Sequence, residues 1–337
     1  MNRVKVKFGK DEDYEASLVK LYNDADDFDR ERIPRVWMFD SSGAFVKDLK
    51  GKVEDIARAS ALKLGVESDL EFTLKYLRSS STGELNPLIG ASYDQRVSSP
   101  KLGIFNFPID GLLSSLYCSK SDVSLLGEDR AGVESNMDHE MRHHLDLRFI
   151  KDSTNYKHAD LDNILFDDWM FSVLKENRIE GFANFEPLEY SGDGLYDYLI
   201  DELRENTQSV RAVMPQIRTE FPKKGGRGFG LETGMLMANG PLDDGFRRAY
   251  WWKGFSAYVQ GKHLMEVIAA ERLGDMEMTR EDYKATLKDV SEMDIGQFYR
   301  TYFDSLKKLH FGAAYSIFPP KTSMRIIKER VLKEKDE

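Results

Sequence analysis

Cysteine is almost missing from this chain: Cys118 is its only one. No disulfide can close within the chain, and no zinc cluster built on several thiolates can form in it. An excess of basic residues is also missing. Against 48 lysines and arginines stand 58 acids, a formal net charge of −10. A general nucleic-acid binder needs a basic surface to meet phosphates, and the basic spots PKKGGR and KKLH are short and set among acids. No run of eighteen apolar residues occurs, so no membrane-spanning helix is expected. The opening MNRVKVKFGKDEDYEASL has no apolar run before its acids and does not read as a signal peptide. The glycine-rich stretch FPKKGGRGFGLETG lacks the G-x-x-x-x-G-K-[ST] pattern of a phosphate loop, and there is no internal repeat. The expectation is a soluble cytoplasmic protein with no nucleic-acid or membrane partner.

What is present is enough apolar material for a core, 41% of residues with 12% aromatic. A chain of 337 residues fits one large domain or two ordinary ones. VKVKF (4–8) alternates like an edge strand. Residues 34–49, PRVWMFDSSGAFVKDL, read as two strands about an Asp-Ser-Ser-Gly turn. VEDIARASALKLG (53–65) has helical spacing and ends in glycine. DLEFTLKYLRSS (69–80) reads as a short helix. Residues 79–90 gather Ser, Gly, Asn and Pro and suit a loop or linker. KLGIFNFPI (101–109) is a strand candidate, placed at an edge because Pro108 would interrupt a central ladder. Residues 161–185, 246–274, 280–290 and 293–309 have helical spacing. Pro319 and Pro320 are expected to end the last of these, before a charged helix that closes the sequence. Strands and helices mix in the first 110 residues and helices dominate after them, which is an α+β pattern. The expected division is an N-terminal α/β region, 1–90, and a larger domain, 91–337.

Three of the six histidines fall within DHEMRHHLD, 138–146. Ser135 is the expected N-cap, with Asp138 three residues on. At about 100° per residue, His143 lies about 40° from His139 and Asp146 about −20°, on one face, with Glu140 on its shoulder at about 100°. Met137, Met141, Leu145 and Phe149 fall on the opposite side as the core stripe. His139, Glu140 and His143 spell H-E-x-x-H. Histidines at i and i+4 aim at one ion, and the glutamate sits beside it, where it can take a proton from water. With so few histidines a shuffled chain would contain this pattern about 0.01 times. Asp146 could fix the tautomer of a ligand histidine or lie on the surface. His144 points too far round to be a second ligand beside His139.

A catalytic zinc takes three protein ligands and leaves a position open. Candidates for the third are His158, His263, His310 or an acid. In ENRIEGFA (176–183), Glu176 and Glu180 are i and i+4 within a half-apolar helix, and an acid there wants a partner. Glu180 is preferred and Glu176 is the runner-up.

HEMRH, followed by a second helix carrying E-G-F-A, resembles the gluzincin group of zinc metallopeptidases. In that group a glutamate on a helix downstream of the H-E-x-x-H helix is the third ligand. The resemblance covers about 95–275. It implies a zincin-like domain, with a small mixed sheet packed on the active-site helix and a mostly helical C-terminal part. It implies Zn2+ held by His139, His143 and Glu180, Glu140 as general base, and a peptide or protein substrate. YWWKGFSAYVQGKHLMEVIAAERLG (250–274) is similar to the group's later helix, which makes Tyr250 and His263, with Tyr258, the candidate donors to the oxyanion. KLGIFNFPI would pair with an extended substrate. The chain departs from thermolysin-like members in the 36 residues that separate His143 from Glu180. The alternatives are a non-catalytic protein stabilised or regulated by its metal, and an amidohydrolase for small molecules. Oligomeric state is not legible in the sequence.

Overall fold

The computed structural model describes residues 3–8, 44–75, 92–93, 101–108, 112, 116, 130–149, 166–187, 199, 201, 204, 260–274, 278–311 and 320–336. Contacts divide the chain into two units, Met1–Leu145 and Asp146–Glu337.

The first unit contains β1 (Val4–Phe8), α1 (Ala44–Leu64), β2 (Asp69–Lys75), β3 (Ser92–Tyr93), β4 (Leu102–Pro108) and α2 (Arg130–Leu145). The strands form one sheet in the order β1-β2-β4-β3. β1 and β4 both run parallel to β2, with Val6 opposite Phe72 and Phe72 opposite Phe105. β3 is antiparallel to β4, with Tyr93 opposite Phe105. Among the described residues the ends of the sheet are therefore β1, as its alternation predicts, and the two-residue β3. The strand at 102–108 is not an edge: Pro108 closes it at its end, where a missing donor costs least. Strands from both sides of residue 90 share the sheet.

Two parallel neighbours need a crossover, and α1 lies in the link between β1 and β2. Its buried residues Leu49, Val53, Ile56, Ala57, Ser60, Ala61 and Leu64 recur at three and four, one continuous stripe. The stripe begins before residue 53, so AFVKDL is the first part of this helix and not the second strand of a hairpin. Gly65 ends it with φ 75°, and the N–H of Val66 donates to the carbonyl of Ala61 over 2.9 Å, a glycine-terminated helix end. DLEFTLK is a strand and not a helix. Leu70, Phe72 and Leu74 are buried and alternate with polar residues at period two, a pattern that seven residues do not separate cleanly from a helical one. The Phe72 and Phe105 rings stack at 4.9 Å between centroids.

The H-E-x-x-H helix α2 packs on α1 and on β3 and β4. It starts at Arg130, so Ser135 is an exposed residue of its interior and not its cap. Met137 and Met141 are fully buried and Phe149, just beyond the helix, nearly so. The opposite face differs from a solvated one, because Glu140 and His143 are buried too, and Asp138 and Arg142 are buried beside the methionines.

The second unit is helical where described, apart from its turns: α3 (Phe166–Asn184), α4 (Gly261–Leu273), α5 (Arg280–Ser291), α6 (Ile295–Lys308) and α7 (Pro320–Asp336). α3 packs against each of the others, and α4 also against α6. Capping boxes start two of them: Thr279 with Asp282 for α5, and Asp294 with Gln297 for α6. The Tyr299 hydroxyl donates to the Leu174 carbonyl at 3.0 Å, and that of Tyr283 to Phe185 at 2.9 Å. Burial raises the pKa of Tyr299 and Tyr302, which keeps both phenols protonated. α6 ends before the two prolines. His310 takes φ 59°, and the N–H of Phe311 donates to the Leu306 carbonyl over 2.8 Å, the same closure that Gly65 gives α1. Pro320 then opens α7, where a missing N–H leaves no helical bond unmade. No helix among the described residues is long and apolar enough to cross a membrane.

α3 and α4 meet backbone to backbone at two glycines. A Cβ on Gly181 would lie 2.6 Å from the Gly261 Cα and closer still to its carbonyl, with no flexible side chain to give way. Gly181→Ala is therefore expected to cost about 3 kcal/mol or more, the upper end of overpacking. Gly51, in the interior of α1 with nothing within 4 Å of its Cβ position, should gain about 0.5–1 kcal/mol as Ala. Urea denaturation of both variants checks this: midpoints moving the same way would contradict it.

Candidate metal centre

One turn of α2 separates His139 from His143, and their rings meet edge to face, 4.7 Å between centroids and 88° between planes. The two Nε2 atoms are 3.1 Å apart. Two explanations suit such a distance. One imidazole can donate its N–H to the other's lone pair, or both lone pairs can face one cation. Nitrogens at about 2.0–2.1 Å from a tetrahedral zinc stand about 3.3 Å from each other, so the pair already has nearly the bite of a metal ligand set.

Among the described residues, His139, His143 and Glu180 form a group in which one ligand atom from each lies within 4.8 Å of the others. Two imidazole nitrogens and a carboxylate oxygen are a donor set that suits zinc. His143 is buried, while His139 and Glu180 are partly exposed. Glu140, one residue from the first histidine, is 6% exposed. The three expected ligands are thus brought together. Glu176, half-buried on α3, is not one of the group.

The residues flanking the motif carry bonds that anchor α2. Asp138 accepts from the Ser60 hydroxyl and, at 2.6 Å, from the Lys63 ammonium, both on α1. His144 has its Nε2 2.6 Å from the Ser68 hydroxyl and its Nδ1 2.9 Å from the Tyr93 hydroxyl. Its ring meets those of Tyr93 and Phe105 edge on. Burial lowers its pKa, so it is a neutral clip between the helix and the sheet.

Asp146 is neither a surface acid nor the orienter of a ligand histidine. Both its oxygens accept from the Arg178 guanidinium on α3, at 2.5 and 2.9 Å, with both side chains fully buried. Its Oδ1 also accepts from the N–H of Arg148 at 3.1 Å. Arg178 donates further to the Met293 carbonyl at 3.1 Å. Local spacing in the sequence points to neither this pair nor the Asp138 anchors. The signal was available, since Arg178 lies in a half-apolar helix and a buried charge needs a partner. The partner stands 32 positions away, and no local pattern points to it.

Of the expected oxyanion donors, His263 alone lies among the described residues. His263, on α4, is buried with its Nδ1 2.7 Å from the Glu266 carboxylate, also buried. His310 is exposed at the end of α6. Tyr250, Tyr258 and His158 lie outside the described residues, as do the glycine-rich stretch at 221–234 and the loop at 79–90. Comparison with protein-family models, with curated proteins and with solved structures finds no match to this chain.

A fully buried ion pair is stable only as a pair. Asp146→Ala should cost about 3–5 kcal/mol, because it strands the guanidinium, whereas Asp146→Leu combined with Arg178→Met should recover most of that loss. Urea unfolding of the single and double variants measures the difference; a single variant as stable as the wild type would contradict the pairing.

Proposed function

We propose that this chain is a zinc-dependent peptidase of zincin-like α+β architecture, with the ion held by His139, His143 and Glu180 and with Glu140 as general base. The observation that carries the reading is the approach of three ligand atoms to within 4.8 Å of one another around an H-E-x-x-H turn. Partial exposure of two of the three ligands favours a working site over a sealed structural one, since a catalytic ion must keep a position for solvent. When bound, zinc would polarise the scissile carbonyl and make water acidic enough to attack near neutral pH.

The chain's own groups do the rest. To present Nε2 lone pairs to a cation, His139 and His143 must carry their protons on Nδ1. The Glu140 carboxylate takes the proton of the attacking water and returns it to the leaving amide nitrogen. A second donor to the oxyanion is required, and Tyr250 and His263 are proposed for it. With Nδ1 of His263 turned to Glu266, its Nε2 is the atom that could serve. The substrate class is a peptide or protein, and the compartment proposed is the cytoplasm, which suits a chain with a single thiol.

Glu140→Gln should retain about one zinc per chain and lose about 10²–10⁴-fold in hydrolysis of a peptide library, while His139→Ala should lose the metal and the turnover together. Elemental analysis and product mass spectrometry on the same preparations read both. Wild-type rates in Glu140→Gln would overturn the role of that residue. Zinc that raises the unfolding temperature while no peptide is cleaved would instead favour a metal-stabilised structural protein.

A further inference from the structure

We propose that Ser68, His144 and Tyr93 form a second reactive site, in which the Ser68 hydroxyl attacks uncharged carboxylic esters. The site lies wholly within the first unit and shares no residue with the candidate metal group, so it is independent of the zinc reading. Three elements supply it. Ser68 ends the turn between α1 and β2, Tyr93 is in β3, and His144 is in the last turn of α2. The start of β2 is pinned to both neighbours. The N–H of Asp69 donates to the Lys101 carbonyl at 3.2 Å, and that of Leu70 to the Arg3 carbonyl at 2.9 Å. These bonds fix the backbone that leads out of Ser68.

The Ser68 hydroxyl is 2.6 Å from Nε2 of His144, and the Tyr93 hydroxyl is 2.9 Å from Nδ1. A nucleophilic serine needs a base within hydrogen-bond reach and a third group that orients the base. With the ring proton on Nδ1 and donated to the Tyr93 oxygen, Nε2 presents its lone pair to the serine O–H. The imidazole is also held by its packing. It lies edge on to the rings of Tyr93 and Phe105, at 5.4 and 6.1 Å between centroids, and both of those residues are buried. The last turn of a helix stabilises positive charge, which is the charge the imidazole gains during attack. Ser68 is half-buried, and the exposed acids Glu67 and Asp69 flank it. They repel anionic substrates and leave uncharged esters as the favoured class.

In the proposed step, a bond forms between Ser68 Oγ and the ester carbonyl carbon while Nε2 of His144 takes the serine proton. The bond from that carbon to the alcohol oxygen then breaks, and the proton passes to the departing alcohol. Water repeats the sequence on the acyl-serine: its oxygen bonds to the carbonyl carbon, the bond to Oγ breaks, and its proton returns to Ser68 through His144. Ser68 and His144 are the catalytic residues, and Tyr93 is a positioning residue that acts through the imidazole.

The test uses the full-length chain with a chelator present, so that no metal takes part. The probes are a fluorophosphonate, located by peptide mass spectrometry, and p-nitrophenyl acetate, followed by nitrophenolate release. Wild type should carry the phosphonate on Ser68, and Ser68→Ala should lose the burst of nitrophenolate. His144→Gln should slow labelling of Ser68 about 10²–10⁴-fold. Tyr93→Phe keeps the ring and removes the hydroxyl. It should lower the limiting rate of labelling and leave the half-saturating probe concentration unchanged, a split that a purely structural role would not produce. Wild type that takes no phosphonate on Ser68, or takes it no faster than His144→Gln does, would overturn the proposal. An unchanged limiting rate in Tyr93→Phe would overturn the part given to Tyr93.

Discussion

Two imidazole nitrogens held 3.1 Å apart on successive turns of one helix can share a proton or a cation. A hydrogen bond needs one ring to keep its Nε2 proton. A metal needs both rings to give it up and carry their protons on Nδ1. With a carboxylate ligand atom within 4.8 Å of both, the second arrangement also brings together an anion and a site where a cation would sit. Each element of the proposed chemistry depends on that choice. Glu140 has a role as a base only beside acidified water, and Glu180 then becomes a ligand rather than a helix acid.

The price of such a site is a helix that buries polar groups around much of its circumference. Asp138, Glu140, Arg142 and His143 are all buried, and a buried polar group without partners costs several kcal/mol. The partners seen here come from well-separated parts of the chain. Asp138 takes bonds from α1, and His144 takes them from residues 68 and 93. Methionines 137 and 141 fill the other side. The helix is consequently fixed in rotation as well as in place, as two ligands at i and i+4 require if they are to share one target.

The three-residue set His139, His143 and Glu180 was legible because it is written in local spacing: the first two in H-E-x-x-H, the third in an acid on a half-apolar helix. The helices at 53–64, 166–184, 280–291 and 295–308 were legible for the same reason, through apolar residues at three and four. Position in the sheet was harder. DLEFTLK is too short for its period to decide, and only its pairing with Val4–Phe8 and Leu102–Pro108 makes it a strand. Likewise Pro108 suggested an edge, but it marks the end of a strand that has neighbours on both sides. The meaning of Asp146 lies in Arg178, and the backbone of His310 makes it a helix terminator, which its local sequence does not announce. In each case a long-range partner or a backbone angle overrode what the neighbouring residues suggested.

The measurement that bears most directly on the metal is zinc K-edge X-ray absorption on the zinc-loaded full-length protein. A first shell at about 2.0–2.1 Å with two imidazoles and oxygen donors, falling to one imidazole in His143→Ala, is the predicted result. A chain that takes up no zinc, or a shell without imidazole scattering, would contradict the account.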